Sequence, residues 1–197
     1  MPDRVDIEHA LDALIADEGG MKFQGLAVVL AKLRWPDLVA RERKNDLGLD
    51  AYASARLSRD GIGKGLACSI AATLGKVKDD AQRAKNNHDD ITALIFATPI
   101  KVPAAKAKEW ATEIASEFGY ELTVISREDI ITDLQVPANA SICRAHLGIT
   151  VPYEPSTAEL IENVRAAAAV VAAAWAAHPR LAGKPRLYLN ALNAAGP

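Results

Sequence analysis

The densest run of chemically useful side chains is Glu42-Arg43-Lys44-Asn45-Asp46-Leu47-Gly48-Leu49-Asp50. Taken as extended backbone, a period of two puts Asp46, Gly48 and Asp50 on one face. Leu47, Leu49 and Ala51 then point the other way, into a core. Two carboxylates flanking a glycine suit a hard cation such as Mg²⁺, because oxygen is its preferred ligand and glycine leaves room for a water or a phosphate. Glu42 could add a carboxylate from the neighbouring strand. The same run also reads as a polar turn entering a strand, with Asp46 solvated and Glu42 paired with Arg41 or Arg43.

Lys76, Lys78, Arg83 and Lys85 share one predicted helix and could follow a phosphate backbone. A solvated polar face is the plainer reading. Lys76, at the start of that helix, could instead bring an ammonium to the carboxylates. Ser126-Arg127-Glu128-Asp129 ends a predicted strand, where α/β sites gather, and reads more simply as a helix cap. His88 falls in a predicted loop. Cys143 and His146 stand at a spacing that could hold a metal, but no further ligands accompany them. No GxSxG, P-loop or GxGxxG pattern occurs.

These groups have to be positioned by a chain of 197 residues, half of them hydrophobic, which suits one domain or one domain with an appendage. A formal net charge of -2 excludes a globally basic coat for nucleic acid and leaves room for a local basic patch. The two cysteines, Cys68 and Cys143, form no CxxC or Cys/His ladder, so a structural zinc site is not expected and both read as small buried apolar residues. No basic-then-apolar leader opens the sequence, and the apolar run Ala166 to Ala177 is too short and alanine-rich for a bilayer, so the chain reads as cytoplasmic, with no membrane partner.

Helical periodicity predicts a helix over Asp6 to Asp17 and another over Lys22 to Leu33, closed by Pro36. Strands are predicted at Leu38 to Arg43, Leu47 to Ala53 and Leu66 to Thr73, with a turn at Asp60-Gly61-Ile62-Gly63. A polar helix from Lys76 and Lys78 fades near Asn86-Asn87. The apolar run Ile91 to Ala97 predicts a buried central strand. A helix over Pro103 to Phe118 ends on Gly119, and a strand at Glu121 to Ser126 leads into a short helix capped by Ser126 and Asp129. The order is an antiparallel three-strand meander, then a parallel β-α-β crossover, giving a mixed sheet flanked by helices. Residues 1–150 form this α/β domain. Residues 151–197 form an extension: Ser156-Thr157-Ala158-Glu159 caps an alanine-rich helix that stops at His178-Pro179, and Leu187-Tyr188-Leu189 reads as one more strand or a link onward. An alanine helix buries little area and is better suited to packing on a partner, a second copy or a following regulatory domain.

Phe23-Gln24-Gly25-Leu26-Ala27, then Leu38 to Arg43, then Asp46-Leu47-Gly48-Leu49-Asp50 resembles the Mrr-like restriction endonuclease branch of the PD-(D/E)XK nuclease superfamily, over about residues 20 to 130. That branch places a helix with a Phe-Glu-like pair before a strand, a D-x-G-x-D-like hairpin and a strand carrying (E/Q)-x-K. The resemblance implies a restriction-endonuclease-like αβββαβ core, DNA as partner, Mg²⁺ as cofactor and phosphodiester hydrolysis in a bacterial defence or restriction system, often as one module of a larger protein. It implies Asp50 as the metal-binding aspartate, Asp46 as the preceding acid and Gln24 at the helix glutamate position. The (E/Q)-x-K pair is missing from Leu66 to Thr73. Lys76 would have to replace the lysine and Glu42 the acid. The alternative is a catalytically degenerate nuclease fold that binds nucleic acid or serves assembly. A third reading is an unrelated α/β fold with a coincidental D-x-G-x-D.

Overall fold

Asp3 starts the first helix by accepting the Val5 N–H at 3.0 Å, one of the amide donors that a helix leaves without an internal partner. The computed structural model describes residues 2–17, 19–41, 48–149, 161–162, 164–169 and 171. Helix α1 is Arg4–Ala16 and α2 is Gly20–Arg34. Strands β1 (Val39–Ala40), β2 (Ala51–Ala53) and β3 (Lys64–Cys68) follow. Helix α3, Leu74–Asn87, is capped by Thr73, whose hydroxyl accepts the Lys76 N–H at 3.2 Å. Strand β4 (Ala93–Ala97), helix α4 (Ala104–Phe118), strand β5 (Glu121–Ile125) and helix α5 (Arg127–Leu134) complete the alternation.

The five strands form one mixed sheet in the order β1-β2-β3-β4-β5. β1, β2 and β3 are an antiparallel meander, and β3, β4 and β5 run parallel. The meander and the parallel β4–β5 pair match expectation. Strand β4 is covered by helices on both faces of the sheet, which is why Leu94, Ile95, Phe96 and Ala97 are all buried. Alternation along it feeds two cores. Ile95 and Ala97 join Phe23, Leu26, Leu30 and Ile130 on the side of α1, α2 and α5. Leu94 and Phe96 join Val77, Ala81, Trp110 and Ile114 on the side of α3 and α4. Each large side chain fully buried this way contributes about 1.5–3 kcal/mol. Phe96 and Trp110 meet edge to face at 6.3 Å.

Several boundaries differ from the expected ones. β2 begins at Ala51 rather than Leu47. β3 runs from Lys64 to Cys68 rather than Leu66 to Thr73, and 69–73 is the connection into α3. After α5 come a 3₁₀ turn (Pro137–Asn139), a single helical turn α6 (Ala140–Ile142) and a π-helical turn (Cys143–Leu147). Cys143 is fully buried among α1, α2 and α5 residues, so this segment closes one face of the core.

The chain divides into two compact units, Met1–Pro152 and Tyr153–Pro197. In the second, the described positions 161–162, 164–169 and 171 are helical. The Ser156 cap, the helix end at His178-Pro179 and the strand at Leu187 to Leu189 lie outside the described residues. Among the described residues no helix is long and apolar enough to cross a membrane.

Candidate functional site

Gly48 has φ +90°, the left-handed region that side chains resist, and a Cβ there would lie 2.4 Å from the Cβ of Arg83. The turn therefore rests directly on α3. Leu49 then enters the core beneath α3, while Ala51 enters the core beneath α2. A bend at Asp50 separates them, so the expected two-residue alternation stops there. Leu49 and Ala51 are both buried, as expected, but on opposite faces of the sheet.

Asp50 is partly buried and knits the hairpin together. Its N–H donates to Leu66 O at 2.7 Å, and its carbonyl accepts the Arg41 N–H at 3.0 Å. Its carboxylate Oδ2 accepts the Cys68 N–H at 2.6 Å. A cleft of about 330 Å³ lies against Asp50, Arg41, Met21 and Gln24. Gln24 and Asp50 thus share one cleft.

Lys76, in the first turn of α3, directs its ammonium to Oδ1 of Asp80. Asp80 is only 3% exposed, and its Oδ2 has no hydrogen-bond partner. Burial holds the Asp80 carboxyl above the usual carboxylate range, against the opposing pull of Lys76. At the C-terminal end of β3, enclosure pushes the Cys68 thiol well up. Asp50 and Asp80 add to that rise, and Lys76 opposes it. Asp50, Lys76 and Asp80 therefore act on one thiol. Asp80 escaped the sequence reading, which took α3 as a polar helix. The signal was its place in the spacing Val77, Asp80, Ala81, Ala84, the buried face of that helix.

Glu42 and Asp46 lie outside the described residues. Among the described residues, no group of three or more His, Cys, Asp or Glu could hold a metal. The basic residues of α3 divide between faces. Lys78 pairs with Glu113 at 2.7 Å and Glu117 at 3.0 Å on α4, and Lys85 lies over the Phe118 ring. Arg83 lies under Gly48. Lys64 corrects the expectation of a third strand without lysine: it heads β3, but binds Asp60 Oδ2 at 2.5 Å, at the end of the strand away from Cys68. No carboxylate occurs on β3.

Ser126 and Asp129 form the expected capping box, with the Ser126 N–H on Asp129 Oδ2 at 2.9 Å. Cys143 is buried as expected, whereas Cys68 is only partly so, because it sits at a strand end. His146 lies beside Gly25, lining a larger cleft of about 590 Å³ with Asp17 and Lys22. His88 lies in the connection after α3, as expected, and is the C-cap of that helix. It is 8% exposed, its ring stacks at 5.0 Å on Tyr52, and its Nε2 has no partner. Next to it, Asp90 accepts the Tyr52 hydroxyl at 2.6 Å, the Ser54 hydroxyl at 2.8 Å and the Ala55 N–H at 3.3 Å.

Compared with family models, curated proteins and solved structures, the chain matches none.

Proposed function

We propose that this chain carries a restriction-endonuclease-like nuclease domain that acts on DNA by Mg²⁺-dependent phosphodiester hydrolysis, as a module of a bacterial defence or restriction system. The order α2-β1-β2-β3-α3-β4 is compatible with an αβββαβ core. The observation that carries the reading is the position of Asp50, bonded to the Cys68 N–H at the C-terminal end of β3, with a cleft open against it and Lys76 in the first turn of the helix that follows β3. In this reading Lys76 takes the role of the lysine missing from β3. Its ammonium would face the scissile phosphate and offset the charge that grows in the transition state. Asp50 would offer its carboxylate to the cation while its bond to Cys68 fixes the carboxylate direction. Mg²⁺ bound there would acidify the attacking water and screen the phosphate. Incubating the full chain with supercoiled DNA and Mg²⁺ or Mn²⁺ should give nicked circles.

A second reading, a degenerate module that binds nucleic acid or serves assembly, draws on the absence of a carboxylate from β3. It predicts DNA binding without nicking, insensitive to Asp50→Ala.

A further inference from the structure

We propose that the loop joining β2 to β3, residues 54–63, contacts duplex DNA by setting Leu57 as a wedge in the minor groove with Arg56 and Arg59 toward the phosphates. This rests on the DNA reading above and adds a contact surface away from Asp50. Leu57 is 82% exposed, and Arg56 and Arg59 are exposed on either side of it. A lone exposed leucine is ordinary. The unusual feature is what holds this one in place. Lys64 is 7% exposed, and burying an ammonium is costly. Its four hydrogen bonds all go to the loop: Asp60 Oδ2 at 2.5 Å and Oδ1 at 2.7 Å, Ser58 Oγ at 3.3 Å and Ile62 O at 3.4 Å. That ammonium fixes the shape of a surface loop rather than joining one core element to another.

The loop is tied at other points too. The Leu57 and Ser58 N–H groups donate to Ser54 O at 3.0 and 2.9 Å, and the Arg59 N–H donates to Asp37 Oδ2 at 3.1 Å. A tip ordered in advance loses little freedom on binding. Its charge suits a polyanion. Arg56, Arg59 and Lys64 face two carboxylates, Asp60 and Asp37, the latter 3.4 Å from Arg59 Nε, which leaves one positive charge. Arg56 forms no ion pair among the described residues. An aliphatic side chain accompanied by arginine is the pattern that pries apart base steps from the minor groove. The position also fits one duplex. Arg59 is bonded to Asp37 and the Arg41 N–H to Asp50 O, so the loop and Asp50 flank opposite ends of β1. β1 is an edge strand, and both its residues are exposed. Residues 37 to 41 span roughly 13 Å, about one groove width, so DNA lying along this edge reaches both.

The test uses the full chain and a fluorescein-labelled duplex of mixed sequence, without added Mg²⁺, read by anisotropy and by permanganate oxidation of unstacked thymines. The wild-type complex should show reactive thymines. Leu57→Ala should abolish that reactivity and weaken binding roughly tenfold. Arg56→Ala should weaken binding and lower the salt dependence by about one phosphate contact. Val136→Ala, another exposed aliphatic, should change neither. If the wild-type chain binds DNA and neither loop variant alters binding or reactivity, the loop assignment is overturned and the DNA reading stands. Binding that weakens only in Arg56→Ala, with no reactive thymine in the wild-type complex, overturns the wedge. Leu57→Ala that releases the chain from phosphatidylserine vesicles and leaves DNA binding intact overturns it in favour of a lipid surface. If the wild-type chain binds no duplex, the loop assignment and the DNA reading fall together.

Discussion

The carboxylate of Asp50 accepts the backbone N–H of Cys68 at 2.6 Å, tying the start of β2 to the end of β3 through a side chain. One oxygen thereby has a structural task, and the two tasks of the residue can be separated by substitution.

Asp50→Asn keeps an oxygen that can accept the Cys68 N–H but loses the charge. It should retain the fold and lose nicking by ~10²-fold or more. Asp50→Ala should lose activity to the same degree and also destabilise the protein by about 1–3 kcal/mol, because the Cys68 amide is left without its acceptor. Urea unfolding beside a plasmid-nicking assay separates the two effects. Equal stability of the two variants would refute the structural task.

Lys76 and Lys78 lie on the same helix but face different partners, and their alanine variants should differ. Lys76→Ala should reduce nicking by ~10²-fold. Lys78→Ala removes contacts to Glu113 and Glu117 and should leave nicking and DNA affinity near wild type. A comparable loss from both, measured at one salt concentration, would point instead to a general electrostatic grip.

His88 makes stability sensitive to pH. Burial and the nearby Arg41 charge lower its pKa in the folded state, with Asp89 and Asp90 opposing. The unfolded chain therefore takes up a proton first as pH falls through about 6.5. Stability should be fully present above that value and decline below it, toward the lowered folded pKa. Urea midpoints at about pH 8 and about pH 5 should differ, and His88→Gln should reduce the difference. An unchanged difference in the variant would assign the slope to other groups.

Gly48→Ala should destabilise by about 1–3 kcal/mol, from a left-handed backbone and a collision with Arg83. Thermal unfolding measures this directly. An unaltered Tm would mean that the turn can move off α3.

Much of the fold was legible because short-range rules governed it. The Ser126 and Asp129 box, the Gly119 stop and the apolar run at Ile91 to Ala97 all act within a few residues, and each appears where the pattern put it. The site was less legible because its geometry depends on contacts distant in sequence. The reversal at Gly48 is required by Arg83, so counting alternate residues from Asp46 could not reveal that Leu49 and Ala51 part company. Asp80 looked like one more charge in a polar helix. Its neighbours Ala81 and Ala84 are small, so the buried stripe was faint. Lys64 was missed because the strand was started two residues late.

Asp90 gathers the Tyr52 and Ser54 hydroxyls and the Ala55 amide, and His88, at the end of α3, lies on the Tyr52 ring. β2 and α3 behave as two struts pinned together at their far ends. Asp50 precedes one strut at its near end, and Lys76 stands near the beginning of the other. Drift between those two groups must then come from flexing within a three-residue strand or a fourteen-residue helix, not from sliding of one element past the other. Loosening the pin at Asp90 would degrade the alignment of the near end without altering a group there.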